Sequence, residues 1–308
     1  MPKTLLLIGA NGFAGTHLAA AAADVRVVAA GREASAEAPA CDLLDSASVA
    51  ACVAAVRPEL VVNAAGAASV ASSWERPGEA FAVNATGVLN LLEAVAREAP
   101  EAHVLCISSA EVYGEPAAEE MPLAEAREPR PITPYGAGKA AMEVLCGQYA
   151  RGRGLRIAVV RAFNLLGPGQ AERFAVSGFG RRIAAAERDK ADEVDLALGN
   201  PAASRDFTDV RDAARALLEI SARQLCGTYN LCSGRGVTIA ELVAELSRSA
   251  RLPVRAHHDL SLARPADPAT LVGDPGKLRE ATGYDPAIPL TQTLADLLEW
   301  WRARLAST

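Results

Sequence analysis

Long hydrophobic runs are missing from this 308-residue chain: no stretch approaches the ~18 consecutive apolar residues that a membrane-crossing helix needs, so no membrane span is expected. An excess of positive charge is missing too. Basic side chains number 31 against 37 acidic ones, for a formal net charge of −6, and such a surface is a poor start for nucleic-acid binding. The six cysteines, at positions 41, 52, 106, 146, 226 and 232, show no C-x-x-C spacing, and several sit in apolar runs such as His103-Val104-Leu105-Cys106-Ile107. They read as reduced core residues, not bridges or ligands. The histidines, His17, His103, His257 and His258, have no zinc-site spacing, and no metal is expected. A Gly-x-Ser-x-Gly elbow is absent, which leaves Ser-His-Asp hydrolysis unsupported. Internal repeats and low-complexity linkers are absent as well. The N-terminal apolar run stops at Gly9-Ala10-Asn11-Gly12, too short for a secretory leader, so the expected location is the cytoplasm.

What remains is the composition of a globular protein, 50% apolar and 22% charged, at about twice the usual domain length. Its first half alternates strand and helix patterns. Strands are predicted over Thr4–Ile8, Val25–Ala30, Leu60–Asn63, Val104–Ser108 and Leu155–Val160. Helices are predicted over Gly12–Ala23, from the Asp45-Ser46 cap to Val56, over Gly78–Ala99 and over Pro134–Arg151. Strands separated by helices imply right-handed crossovers and a doubly wound parallel sheet, an α/β fold.

After Arg161 the rhythm changes. Phe163–Gln170 and the Pro-rich Arg264–Pro275 tract read as loops, and Thr238-x-x-Glu241 is a capping box for a helix to Arg248. The expected organisation is a dinucleotide-binding domain over 1–165 and a smaller α/β substrate lobe mainly over 166–308. Segments at about 204–232 are expected to return to the first domain. Trp74, Trp300 and Trp301 are expected to be packing residues.

Gly9-Ala10-Asn11-Gly12-Phe13-Ala14-Gly15 lies directly between the first strand and its helix. A pyrophosphate needs bare backbone N–H groups at a helix N-terminus, where the macrodipole also favours negative charge. Glycines supply the tight turn and the close approach, so this segment predicts a Rossmann-like dinucleotide site, spaced G-x-x-G-x-x-G. At the end of the second strand stands Gly31-Arg32-Glu33. Arg32 could clamp a 2′-phosphate, favouring NADP(H); Glu33 could instead hold the 2′-hydroxyl of NAD(H), the alternative. Asp42, in Cys41-Asp42-Leu43, is placed for the adenine edge.

Tyr135 and Lys139 share one face of a predicted helix at i and i+4, so phenol and ammonium point into the same space. A neighbouring cation favours phenolate and is expected to bring the phenol towards acid–base work at neutral pH. The segment Ile107-Ser108-Ser109-Ala110-Glu111-Val112-Tyr113-Gly114 follows a strand, where open α/β sheets bind ligands.

With these elements, and with Asn63-Ala64-Ala65-Gly66, Val83-Asn84-Ala85-Thr86-Gly87 and Arg205-Asp206-Phe207-Thr208-Asp209-Val210, the chain resembles the extended short-chain dehydrogenase/reductase family over essentially its whole length. The resemblance implies a catalytic trio of Ser109, Tyr135 and Lys139, with Ser109 preferred to Ser108. It also implies cofactor contacts from Leu43, Ala64, Ala65 and Gly66. Second-lobe segments, Phe163–Gln170 and Arg264-Pro265-Ala266-Asp267-Pro268 among them, are similar to those of GDP-6-deoxy-4-keto-D-mannose reductases. By that resemblance the substrate is a nucleotide-diphosphate sugar touched by Ser109, Glu111, Asn164, Arg205 and Arg264. The implied reaction is NAD(P)H-dependent reduction of the C4 ketone of a 4-keto-6-deoxyhexose.

Ala110 stands where dTDP-glucose-type 4,6-dehydratases carry an acid, while Glu111 matches their neighbouring carboxylate. The alternatives are therefore a 4,6-dehydratase or 4-epimerase that recycles NAD, and a non-catalytic dinucleotide-binding sensor. The resemblance further implies a homodimer through the helices Gly78–Ala99 and Pro134–Arg151, with Ala137, Ala140 and Ala141 permitting close approach.

Overall fold

The structure is a computed structural model and describes residues 3–36, 38–262 and 268–307. From the N-terminus run β1 (Thr4–Ile8), α1 (Phe13–Ala21), β2 (Arg26–Ala30), α2 (Ser46–Val56), β3 (Leu60–Asn63), α3 (Val70–Glu75), α4 (Pro77–Phe81), α5 (Gly87–Glu98), β4 (His103–Ser109), α6 (Pro134–Arg153) and β5 (Arg156–Ala162). Then come β6 (Asn164–Leu166), α7 (Ala175–Arg188), β7 (Val194–Leu198), β8 (Ser204–Asp209), α8 (Val210–Ala222), β9 (Gly227–Leu231), β10 (Gly236–Thr238), α9 (Ile239–Arg248), β11 (Val254–His258), β12 (Thr270–Leu271), α10 (Gly276–Thr282) and α11 (Leu290–Ala306).

Six parallel strands form the main sheet in the order β2-β1-β3-β4-β5-β9. The order reverses at β1/β3, so the loops after β1 and β3 open a crevice at the carboxyl ends of the strands. Both faces of the sheet are covered. Leu6, Ile8, Val61 and Val104 pack beneath Val49, Leu91 and Met142 of α2, α5 and α6. Leu5, Leu7, Val62 and Leu105 pack on the opposite side against Leu18 of α1 and Leu217 and Ile220 of α8. Alternate residues of β1 therefore serve opposite cores, which is why the strand reads as a continuous apolar run. Because β9 joins the sheet edge and α8 packs on its face, the segment 210–231 belongs with the N-terminal sheet, while β8 pairs with β6, β10 and β12 in a second sheet. A third apolar cluster, with Phe179, Leu196, Leu242, Leu298 and Trp301, holds this lobe together. Among the described residues no helix is long and apolar enough to cross a membrane.

Capping follows the sequence closely where it matters. The Asp45 carboxylate accepts from the N–H groups of Ala47 and Ser48 (3.0 and 3.2 Å) to start α2, and Thr238 and Glu241 form the reciprocal box at α9. At α6, Thr133 accepts from Gly136 N (3.0 Å) with Pro134 in the first turn, and Gly154, at φ +72°, ends the helix.

Several expectations are corrected. The Gly78–Ala99 helix is three pieces: α4 begins at Pro77, a wide π turn occupies Ala82–Thr86, and α5 follows. Phe163–Gln170 is not all loop, since Asn164–Leu166 pairs with β8; likewise Thr270–Leu271 is a strand within the Pro-rich tract. Five cysteines are buried, but Cys226 is exposed, and Trp74 lies on the outside of α3 with 51% of its surface accessible.

Candidate active site

The glycine turn is built so that no side chain could enter it. Gly9 sits at φ +82°, a conformation glycine adopts without strain, and its N–H reaches Ala30 O (3.2 Å) while its carbonyl accepts from Gly12 N (2.9 Å). A Cβ on Gly15 would stand 2.1 Å from Gly9 O, and one on Gly9 would stand 2.6 Å from Ala65 N. Close helix–strand contact therefore demands glycine at both positions. Gly12 caps α1 without a side-chain acceptor, so the first N–H groups of that helix are free for an anion, and Asn11 and Gly12 face solvent. This cradle fits the diphosphate of a dinucleotide.

Phe13 and Ala14 line one end of a cavity of about 740 Å³, together with Ala64, Ala65 and Gly66 from the loop after β3. Arg32, Asp42 and Leu43 lie away from this cavity. Arg32 is exposed just past β2, and the Asp42 carboxylate accepts from Leu44 N (3.0 Å) in its own turn. Leu43 is buried against Gly87, where a Cβ would approach its side chain to 2.9 Å.

The cavity continues to the carboxyl end of β4 and the first turns of α6, where Ser109, Tyr135 and Lys139 meet. Successive strand residues point to opposite sides, so the two serines part company. The Ser109 hydroxyl hydrogen-bonds the Tyr135 phenol, whereas that of Ser108 donates to Glu143 (2.5 Å). Tyr135 N is held by Ser73 Oγ (3.2 Å), and the Lys139 ammonium donates to Ile107 O (2.7 Å). Burial pushes the Tyr135 phenol up to about 12; the Ser109 bond opposes this and the Glu111 charge adds to it. The expected move of the phenol towards neutral pH is thus reversed, because desolvation of the phenolate outweighs the Ser109 hydrogen bond that favours it. At neutral pH Tyr135 is a proton donor. Burial lowers Lys139 to about 8, partly offset by Cys106, Cys146 and Glu143.

The far wall belongs to the second lobe. Asn164 and Arg205 line the same cavity, their side chains bonded to Asp206 O (3.2 Å) and Ser204 O (2.8 Å). Asp206 is wholly buried and accepts from Ser233 N (2.8 Å), Ser233 Oγ (2.6 Å) and Gly234 N (2.9 Å), which ties β8 to the β9–β10 turn. Glu111, at the strand end, completes the group around Tyr135, while Arg264 lies outside the described residues.

Three residues received no role from the sequence, although Asn84 lies within the Val83–Gly87 segment that carries the resemblance. Asn84 sits in the π turn with its amide clasping Ala67, accepting from Ala67 N (3.0 Å) and donating to Ala67 O (3.2 Å). It fixes the loop that carries Gly66; a polar, poorly helix-forming residue inside an apolar helical run is the available signal. Arg173, its guanidinium 5.1 Å from the Phe174 ring centre, and Asn200 line the cavity. Nothing in their local spacing marks them.

The family profile for GDP-mannose 4,6-dehydratase matches residues 6–297. The GDP-6-deoxy-D-mannose reductase of Pseudomonas aeruginosa is 34% identical over 250 residues, covering 80% of this chain and 82% of that protein. The structure of RMD from Pseudomonas aeruginosa complexed with NADPH superposes with a TM-score of 0.87 at 32% identity, covering 98% of this chain and 99% of that one. The UDP-glucose 4-epimerase of Thermus thermophilus, in complex with NAD, is similar at a TM-score of 0.85 and 28% identity, covering 97% of this chain and 99% of that one.

Proposed function

The chain belongs to the GDP-mannose 4,6-dehydratase family of extended short-chain dehydrogenases/reductases, and from that premise we propose that it reduces the C4 ketone of a nucleotide-diphosphate 4-keto-6-deoxyhexose with NADPH. The observation that carries this reading is the meeting of Ser109, Tyr135 and Lys139 between the glycine cradle and the Asn164/Arg205 wall, in one cavity of about 740 Å³. Bound NADPH would supply the hydride to C4. Ser109 would hold the ketone oxygen, and Tyr135, protonated at neutral pH, would give its proton to that oxygen as negative charge grows there. Lys139 would hold the nicotinamide ribose. Arg205, with Arg264 by family resemblance, would grip the sugar nucleotide's diphosphate, a role suited to a permanently charged planar donor. NAD(H) is the alternative cofactor.

A second reading, a 4,6-dehydratase or 4-epimerase recycling a held NAD, draws on Glu111. Its carboxylate lines the cavity and its charge acts on Tyr135, so a base stands near the carbons beside the ketone. One assay separates the two: NADPH or NADH oxidation against 4-keto-6-deoxy sugars carrying GDP, dTDP, UDP or CDP. Reduction consumes one equivalent of cofactor per product; conversion of a nucleotide hexose without added reductant would displace the reductase reading.

The protein is further proposed to act as a homodimer in the cytoplasm. Phe81 on α4 and Val144 on α6 are 46% and 70% exposed, Trp74 adds to the apolar surface, and Ala137 is exposed on α6. An apolar face of that kind suits packing against a second copy.

A further inference from the structure

Glu143 takes no part in the reaction outlined above, yet its buried carboxylate ties α6, which carries Tyr135 and Lys139, to β4, which carries Ser109, and to β5. It lies one turn beyond Lys139 and two beyond Tyr135 on α6. Its Oε1 accepts from Ser108 Oγ on β4 (2.5 Å) and from Arg161 Nε on β5 (3.1 Å), and its Oε2 accepts from Arg161 Nε (3.1 Å) and Nη2 (2.7 Å). The two side chains are only 5% and 9% accessible, arginine first. Arg161 is saturated in turn: its Nη1 donates to Glu125 O (3.1 Å) and Arg127 O (3.4 Å), and its guanidinium lies 4.8 Å from the centre of the Tyr113 ring. Tyr113 donates to Asn230 Oδ1 (2.7 Å) on β9. Burial works against the Arg161 charge, but the bonds and charge of Glu143 more than offset it and raise its pKa above the usual arginine value.

We infer that Glu143 is a positioning residue, whose carboxylate fixes the helix bearing Tyr135 and Lys139 against the strand bearing Ser109. The inference rests on the reading of those three residues as the reacting group. Ser108 and Ser109 are neighbours on one strand, so a bond from the first to α6 sets how far the second stands from Tyr135. The carboxylate has an electrostatic effect as well. The titratable groups around Lys139 are Tyr135, Glu143 and Cys146 on its own helix and Cys106 on β4, with Glu111 facing Tyr135 from the strand end. Of those acting on the ammonium, Glu143 is the carboxylate, and it opposes the drop that burial imposes.

The test needs neither cofactor nor sugar for its first readout. Competitive acetylation with acetic anhydride, read by peptide mass spectrometry, follows the ionisation of Lys3, Lys139, Lys190 and Lys277 separately. In Glu143→Gln the Lys139 midpoint should fall by about one pH unit while the other three stay in place. Because that variant strands a buried guanidinium, the double variant Glu143→Gln/Arg161→Met is the control for folding; its Lys139 midpoint should also fall, but by less, because the Arg161 charge leaves together with that of Glu143. With a turned-over keto sugar, both should lose about a hundredfold in kcat with KM changed less than about threefold. Glu143→Asp, which keeps the charge on a shorter stem, should restore the lysine midpoint but only part of kcat. A double variant with wild-type midpoint and wild-type kcat overturns the inference. If the wild type reduces no keto sugar while the lysine shift persists, the reductase reading fails and the placement of Glu143 is supported.

Discussion

The Lys139 ammonium stands 6.0 Å from the centre of the Tyr135 ring and donates to the Ile107 carbonyl, so the two residues share a space while being perturbed in opposite directions. Burial disfavours the charged form of each. It therefore lifts the phenol to about 12 and lowers the lysine to about 8, which leaves a protonated acid beside an ammonium that titrates within reach of physiological pH. The proposed reduction would use both groups in their protonated forms.

The sign of the lysine shift sets the pH profile. Lys139 is charged below about 8 and neutral above it. If its charge holds the cofactor, kcat/KM for NADPH, which reports the free enzyme, should be flat at neutral pH and fall as pH rises through about 8. Lys139→Arg keeps the charge at all these values, so the alkaline limb should vanish even though absolute activity drops. A limb unchanged by that substitution would assign the titration to another group.

Tyr135→Phe removes the proton donor while leaving the aromatic body in place. Turnover of the keto sugar should fall by about a hundredfold to ten-thousandfold. Cofactor binding, followed by quenching of NADPH fluorescence, should change little. Near-normal turnover would show that the proton comes from elsewhere.

Local pattern made the frame of the site legible. The Gly9–Gly15 turn, the i, i+4 pair on α6 and the apolar strands all depend on residues close in sequence, as do the caps at Asp45 and Thr238. What escaped depends on partners far away. The π turn at Ala82–Thr86 presents Asn84 to Ala67, 17 positions earlier in the chain, a partner that the local pattern of the helix does not reveal. Asn164–Leu166 becomes a strand only by pairing with Phe207–Asp209, and its own Asn-Leu-Leu beside Gly-Pro-Gly reads as loop. Trp74 reads as a packing residue on composition, yet α3 lies at the surface. The Glu143–Arg161 pair spans 18 positions and joins a helix to a strand, a relation visible only when both are folded.

Gly15→Ala tests the cradle itself. With Gly9 O 2.1 Å from the new methyl, α1 must move off the turn, a strain of about 1–3 kcal/mol for an overpacked contact. The variant should melt earlier and lose NADPH binding, both measurable without substrate. Full cofactor affinity would mean that the diphosphate sits elsewhere.

The exposed apolar helices give the assembly a direct test. Wild-type protein should sediment as a dimer at micromolar concentration, and the double variant Phe81→Glu/Val144→Glu as a monomer with unchanged circular dichroism. Charges placed at the centre of an apolar contact must be desolvated without partners, which disfavours association far more than it disturbs an already exposed surface. A monomeric wild type would remove the dimer from the proposal.

Cofactor choice should turn on Arg32. The residue is exposed just past β2, whose Ala30 carbonyl accepts from Gly9 N, and it does not line the substrate cavity, so its removal leaves the reacting groups untouched. A guanidinium bonded to a 2′-phosphate contributes about 1.5–3 kcal/mol, which corresponds to about a tenfold to hundredfold change in affinity. Arg32→Ala should therefore raise KM for NADPH by that factor. For NADH, which lacks the phosphate, KM should shift by less than about threefold, since no charge-assisted bond is lost. The ratio of the two is the decisive quantity, because general damage to the cradle would weaken both cofactors together. A further change, Glu33→Ala, separates the alternative. If Glu33 holds the 2′-hydroxyl, NADH affinity falls in that variant and the ratio moves towards NADPH; if Arg32 governs, Glu33→Ala leaves the preference for NADPH in place.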